Sequence, residues 1–215
     1  MNKTETLNKA MKIIEEWRYT YDLREAVTQF VLHWAFLHTG LYPPTHSMVK
    51  KHDYNLPAEK LAKLLSASML NGYADPIGDI LTELGVNKQI GYFNSPDGVG
   101  ELLSQLMGRS SCSLSYYEVC SGTGAITMQE ITDIVESNTD TVNPLEGMKF
   151  VLEELSSVNC AASLIQIFHR LEYLSKYKDH YVYPAEISIS NIDVISREKG
   201  KQSYFLTGFS PKGQP

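Results

Sequence analysis

Apolar residues recur every three or four positions through most of the first half of the chain, and this spacing places them on one face of a helix. Over residues 7–38 the pattern predicts one or two long helices, with Asp22 placed to cap the second of them. A loop marked by Gly40 and two adjacent prolines ends this pattern. Three further helices are predicted, over residues 57–70, 75–84 and 98–107.

Short runs of strand type alternate with helical patterns in the second half of the chain. Strands separated by helices favour a mostly parallel sheet, because a parallel partner needs a long crossover connection. The sequence therefore predicts an α/β fold whose first half is helical. The predicted elements are strands over residues 113–120, 148–154, 185–195 and 203–209, and helices over residues 123–136 and 158–177.

The composition fits one folded core and narrows the range of partners. The chain has 215 residues, of which 43% are hydrophobic, and this is enough for one sizeable core. Trp17 and Trp34 lie within apolar helical faces and are expected in that core, and a structural role is expected for His169. The formal net charge of −6 argues against autonomous DNA binding, because phosphate contacts need a basic excess. A protein partner stays open.

The cysteines and the N-terminus bear on the cellular compartment. Three cysteines, an odd number without CxxC spacing, predict neither a disulfide framework nor a zinc site: Cys112, Cys120 and Cys160. Reduced thiols favour a cytoplasmic location. The positive charges near the N-terminus are not followed by an apolar run, so no signal peptide is expected, and no stretch is long enough to span a membrane.

Gly122 and Gly124 lie between a predicted strand and the helix that follows it. Glycines at such a turn allow the backbone to approach a ligand, and the following helix presents free N–H groups. The two glycines alone fit an ordinary strand-to-helix turn equally well. No GK[ST] follows them, and Thr127 stands where the dinucleotide-binding fingerprint has its third glycine.

The residues around this turn resemble motifs of a known family. Residues 90–96 read Ile-Gly-Tyr-Phe-Asn-Ser-Pro, and residues 118–125 read Glu-Val-Cys-Ser-Gly-Thr-Gly-Ala. Residues 75–80 and 154–162 add an Asp-Pro-Ile-Gly-Asp-Ile lead-in and a later Glu-Leu-Ser-Ser-Val-Asn-Cys-Ala-Ala stretch. In this order and separation, they resemble the adenine-N6 DNA methyltransferases, specifically the Type I-like N-6 DNA methylases.

The resemblance implies a cofactor, S-adenosylmethionine, and a set of residues that contact it. It also implies a helical region over residues 1–74, followed over residues 75–215 by an incomplete Rossmann-like methyltransferase domain. By analogy, it places the chain in DNA modification, restriction-modification or the biology of phages and mobile elements. The resemblance implies that the methionine end of the cofactor contacts Phe93, Ser95 and Pro96. It implies that the cofactor backbone contacts Glu118, Cys120, Gly122 and Gly124, and that its ribose hydroxyls contact Glu154.

The chain departs from the family at the cofactor motifs and at the catalytic loop. Asn94-Ser95 replaces Phe-Thr and Ser156-Ser157 replaces Asp-Pro, which predicts weakened or lost cofactor affinity. The family grips a flipped adenine with an Asn/Asp-Pro-Pro-Tyr/Phe loop, and this tetrapeptide is absent from the sequence. The nearest stretch by position, residues 192–199, ends in charged residues.

Three functions remain open at this point. The first is an S-adenosylmethionine-binding, methyltransferase-like protein that is not independently catalytic. The second is an active DNA methyltransferase, alone or with a partner subunit, that uses a substituted loop within residues 193–199. The third is a cofactor-independent protein-interaction module on the same fold. No catalytic residue and no metal ligand are predicted.

Overall fold

The computed structural model describes residues 2–86, 98–99, 102 and 114–207. Single 3₁₀ turns occur at Glu15–Trp17 and Ser47–Lys50. The helices are α1 (Lys3–Ile14), α2 (Leu23–Thr39), α3 (His52–Met69), α4 (Pro76–Glu83), α5 (Ala125–Ser137) and α6 (Ser157–Lys178). The strands are β1 (Ser115–Val119), β2 (Lys149–Glu154), β3 (Glu186–Asn191) and β4 (Tyr204–Thr207).

The four strands form one small, open, mixed sheet in the order β1-β2-β3-β4. β1, β2 and β3 are parallel, and β4 returns antiparallel to β3. One register row joins Tyr117, Val151, Ser188 and Phe205 across the sheet. The predicted α/β class and the mostly parallel sheet are therefore confirmed.

The two faces of the sheet differ in burial. Both crossovers carry the chain in one direction across the sheet, so right-handed connections place α5 and α6 on the same face. Residues that point to this face are buried, as in Phe150 and Ile189. On the opposite face Tyr117 and Phe205 are 57% and 63% exposed. We call this side, lined by the row Tyr117–Val151–Ser188–Phe205, the exposed sheet face.

α2, α3 and α4 pack against α6, which also contacts β2 and β3, and α1 packs on α3 and α4. Trp17 stacks on Tyr54 with ring centroids 5.1 Å apart, and Trp34 meets His169 edge to face at 5.6 Å. Both tryptophans are buried, as predicted, and so is His169. One hydrophobic cluster includes residues from both sides of the predicted boundary at residues 74 and 75. The division into two regions stays a prediction.

α3 and β3 each differ from the prediction by four residues or more at one end. α3 begins at His52 and contains Pro57, because the buried Tyr54 is held in the helix by its stack on Trp17 and by a 3.0 Å hydrogen bond to the carbonyl of Ala26. β3 ends at Asn191 rather than continuing to residue 195. The Asn191 side chain donates to the carbonyls of Glu154 and Leu155, and the chain then turns back.

The structure also bears on the predicted helix cap at Asp22, on the predicted helix over residues 98–107 and on membrane-spanning segments. The predicted Asp22 cap is confirmed, because its carboxylate accepts the backbone N–H of Glu25 at 3.0 Å. Most of the predicted helix over residues 98–107 lies outside the described residues. None of the helices within the described residues has the length and apolar character needed to cross a membrane.

Candidate functional site at the glycine turn

The chain leaves β1 at Val119 and enters α5 at Ala125 through a tight turn at the carboxyl end of the sheet. Three of its residues have left-handed backbone angles: Cys120 at φ 55°, Gly122 at φ 57° and Gly124 at φ 85°. Glycine adopts this region without strain, whereas a side chain at Cys120 costs free energy. Ligands of open α/β sheets bind at this end of the strands.

The backbone of the turn is hydrogen-bonded within the protein. The N–H of Gly122 donates to a carboxylate oxygen of Glu154 at 2.9 Å, and the N–H of Gly124 donates to the carbonyl of Ser121 at 2.9 Å. The hydroxyl of Ser163 donates to the carbonyl of Gly122 at 2.9 Å. The N–H groups of the two glycines are therefore not available to a phosphate.

Glu154 joins the end of β2 to the glycine turn and to the start of α6. Its Oε2 accepts from Gly122, and its Oε1 accepts from the backbone N–H of Ser156 at 2.8 Å and the side-chain amide of Asn159 at 3.2 Å. The residue is only 6% exposed. A carboxylate oxygen can accept two hydrogen bonds, and one of the two on Oε2 comes from Gly122.

Glu118 lies across the N-terminus of α5. It accepts hydrogen bonds from the Thr127 hydroxyl, from the Thr127 backbone N–H and from the Tyr116 hydroxyl, the last at 3.0 Å. Burial raises the pKa of its carboxyl above the ordinary value, and these hydrogen bonds oppose the rise. Glu118 therefore stabilises the start of α5 in addition to any contact with a ligand.

The two side chains after β1 differ in exposure. The Cys120 thiol is exposed, whereas Ser121 is buried and its hydroxyl has no hydrogen-bond partner within the described residues. Cys160 is buried on α6, and this burial raises the pKa of its thiol. Of the eight predicted contacts, the structure brings five to this end of the sheet: Glu118, Cys120, Gly122, Gly124 and Glu154. Phe93, Ser95 and Pro96 lie outside the described residues.

Sequence reasoning did not assign a role to Asp75, which contacts the turn from the N-terminal side of the chain. Its buried carboxylate accepts hydrogen bonds from the Thr123 hydroxyl at 2.9 Å and from the Gln166 amide at 2.8 Å. Burial, the largest effect, raises the pKa of Asp75 to about 6. The Asp-Pro pair signals a helix start, but local sequence contains no sign of the contact with Thr123.

The loop after β3, which corresponds to the expected catalytic position, is closed by its own hydrogen bonds. Asp193 accepts from the backbone N–H groups of Ile195 and Ser196, which lowers the pKa of its carboxyl. Arg197 donates two 2.8 Å hydrogen bonds to the carboxylate of Glu153, which also accepts from the Tyr117 hydroxyl at 2.7 Å. Asp193 and Arg197 are thus already engaged within the protein.

The described residues offer no metal site, and the chain matches no family model, curated protein or solved structure. Within the described residues, no group of three or more His, Cys, Asp or Glu side chains is placed to hold a metal ion. Comparisons of the chain with protein-family models, with curated proteins and with solved structures find no match. The candidate function therefore rests on the geometry of the turn and on the resemblance of its motifs.

Replacing Gly124 by alanine tests how closely α5 approaches α6 at the turn. A Cβ here would lie 3.2 Å from the Ser163 hydroxyl oxygen and 3.3 Å from its Cβ, at φ +85°. We expect the free energy of unfolding to fall by about 2–3 kcal/mol, from left-handed strain and from the close contact. Chemical denaturation monitored by circular dichroism measures it.

Gly40→Ala is the matched control, because Gly40 has φ +70° and open space around its added Cβ. This variant carries the strain without the contact, and we expect a loss of about 1 kcal/mol. Equal losses in the two variants would show that the contact with Ser163 does not limit the turn.

Proposed function

We propose that the protein binds S-adenosylmethionine at the glycine turn and is a DNA adenine methyltransferase-like protein without independent catalytic activity. The proposal depends on one observation above all, the 2.9 Å hydrogen bond from Gly122 to Glu154. These residues are 32 positions apart in the chain. The resemblance assigns both to the same cofactor, one at its backbone and the other at its ribose, and they are in contact.

The charges around the turn favour this cofactor over a nucleotide. S-adenosylmethionine carries a sulfonium, an ammonium and one carboxylate and is therefore a net cation, and the Glu118 and Glu154 carboxylates lie beside the turn. The N–H groups of both glycines are used within the protein, which disfavours a pyrophosphate. The buried hydroxyl of Ser121, which has no hydrogen-bond partner among the described residues, suits a polar cofactor.

The loop over residues 193–197 supports binding without catalysis. Holding a flipped adenine requires an amide or carboxylate acceptor and a stacking ring at the methyl group. The Oδ1 atom of Asp193 accepts from the backbone of its own loop, and Arg197 is paired with Glu153. Residues 193–197 also contain no aromatic ring that could stack on a base. The second function, an active methyltransferase, predicts transfer of a radiolabelled methyl group to DNA, alone or with a partner subunit. We expect no such transfer from this chain alone.

Calorimetric titration with S-adenosylmethionine tests the proposal directly. The wild-type protein is expected to bind it, and to bind S-adenosylhomocysteine less tightly because that compound lacks the sulfonium charge. A dinucleotide such as NAD is expected not to bind. Absence of binding heat and of thermal stabilisation with both S-adenosyl compounds would overturn the proposal.

Gly122→Asp locates the binding. Aspartate at this position must adopt a left-handed backbone conformation, and it places a negative charge beside Glu154. We expect this variant to abolish cofactor binding. Gly40→Asp is the control, because it introduces the same side chain at φ +70° in open space. Equal affinities of the two folded variants would place the cofactor elsewhere.

The exposed sheet face favours the third function, a protein-interaction module. Tyr117 and Phe205 are large and exposed on the two outer strands of this face, in one register row with Val151 and Ser188. Exposed rings of this kind are available to a partner protein. This function predicts partner association that survives Gly122→Asp and is lost in Phe205→Glu. Loss in Gly122→Asp alone would instead connect the association to the cofactor site.

A further inference from the structure

Asp75 joins three separate parts of the chain through one buried carboxylate. It lies before α4 and accepts the backbone N–H of Gly78 at 2.9 Å, which caps that helix. The same carboxylate accepts from Gln166 on α6 at 2.8 Å and from Thr123 in the glycine turn at 2.9 Å. The contact with Thr123 spans 48 positions of the chain.

Gln166 completes this network from the other side. Its side-chain oxygen accepts the N–H of Ile77 at 3.0 Å, and its amide donates to Asp75 and, at 2.9 Å, to the carbonyl of Thr123. Thr123 is therefore held at both its side chain and its carbonyl. Because Thr123 separates Gly122 from Gly124, its position determines how the two glycines are oriented.

Helix capping alone does not explain why Asp75 is buried. Asp22 caps α2 through an equivalent bond to the residue three positions later, and it does so while exposed to solvent. A buried carboxylate costs free energy, and the neighbouring Asp79 carboxylate adds to the cost. The polar groups that face Asp75, from Gly78, Thr123 and Gln166, offset this cost, and two of them belong to or hold the turn.

We propose that Asp75 is a positioning residue that holds Thr123, and through it the glycine turn, in the conformation that binds the cofactor. A residue at the start of α4 thereby controls the affinity of a site built on the sheet. For the cofactor itself this inference rests on the proposed function. The link between Asp75 and the conformation of the turn does not.

Titration with S-adenosylmethionine compares two pairs of variants. Asp75→Ala and Thr123→Val each remove one side of the contact, and we expect each to weaken binding roughly tenfold. Asp22→Ala removes an equivalent cap far from the turn, and Thr123→Ser keeps the hydroxyl. Both are expected to bind as the wild type does, even where Asp22→Ala lowers the melting temperature.

The reactivity of Cys120 reports on the turn without any cofactor. Its thiol is exposed within the turn, and Cys160 is buried, so in a Cys112→Ser background a thiol reagent such as DTNB is expected to label Cys120 first. We expect Asp75→Ala and Thr123→Val to change the labelling rate by about threefold or more, because the turn loses its anchor. Asp22→Ala and Thr123→Ser are expected to leave the rate unchanged.

The two measurements separate the two proposals. Altered Cys120 labelling without any cofactor binding by the wild type would overturn the proposed function and support the positioning role. Cofactor binding and labelling rates that are the same in Asp75→Ala as in Asp22→Ala would overturn the positioning role and leave the proposed function standing. Altered labelling together with weaker binding would support both.

Discussion

Replacing Gly78 by alanine is expected to destabilise the protein by about 3 kcal/mol, although alanine is the better helix former by about 1 kcal/mol. An added Cβ at this position would lie 2.3 Å and 2.4 Å from the two carboxylate oxygens of Asp75. The carboxylate would have to leave, which would break its hydrogen bonds to Gly78, Thr123 and Gln166. Unfolding in urea at pH 7 measures the loss.

A double-mutant cycle identifies the cause of that loss. In an Asp75→Ala background the carboxylate is gone, so Gly78→Ala is expected to be neutral or slightly stabilising. The coupling between the two positions is then about 3 kcal/mol. If Gly78→Ala costs the same in both backgrounds, the contact with Asp75 is not its cause.

Asp75→Asn is expected to gain stability relative to the wild type as the pH rises from about 3.5 to 7. The folded pKa of about 6 lies above the ordinary value of 3.8, so between these values the folded wild type binds more protons than the unfolded chain. Raising the pH therefore removes stability from the wild type, and the two pKa values correspond to about 3 kcal/mol. Asparagine does not titrate and does not lose this stability.

The difference in unfolding free energy between the two proteins is the quantity to follow, because titrating groups that do not interact with Asp75 contribute equally to both. For example, burial lowers the pKa of His38, so the stability that this group contributes is lost as the pH falls, in both proteins. Unfolding free energies at several pH values from 3.5 to 8 give the difference directly. A difference that is constant, or that falls as the pH rises, would contradict the ionisation of a buried Asp75.

Much of the fold follows from local patterns in the sequence. The order of helices and strands follows from apolar spacing, because a face must be apolar to be buried. The Asp22 cap follows from the preference of carboxylates for helix starts, and the bond to Glu25 confirms it. The turn at Gly122 and Gly124 lies between the predicted strand and helix for a similar reason, since glycine adopts left-handed angles at low cost.

The errors arise where contacts between distant segments prevail over local preference. The apolar pattern predicts a helix that begins at residue 57. The contacts of Tyr54 with Trp17 and Ala26 extend α3, so that it begins at His52. The alternating pattern after residue 185 predicts a strand up to residue 195. The side chain of Asn191 donates hydrogen bonds to the carbonyls of Glu154 and Leu155, and β3 ends at that residue.

The sequence by itself determined the class of the fold, the order of its elements and the glycine turn between β1 and α5. Each of these depends on residues close together in the chain, and backbone preferences and apolar spacing act at that range. Only the tertiary structure decided that Glu154 meets Gly122, that Asp75 holds Thr123, and that Arg197 engages Glu153. Those contacts depend on how helices and strands pack, and a buried polar group takes whichever partner that packing brings within reach.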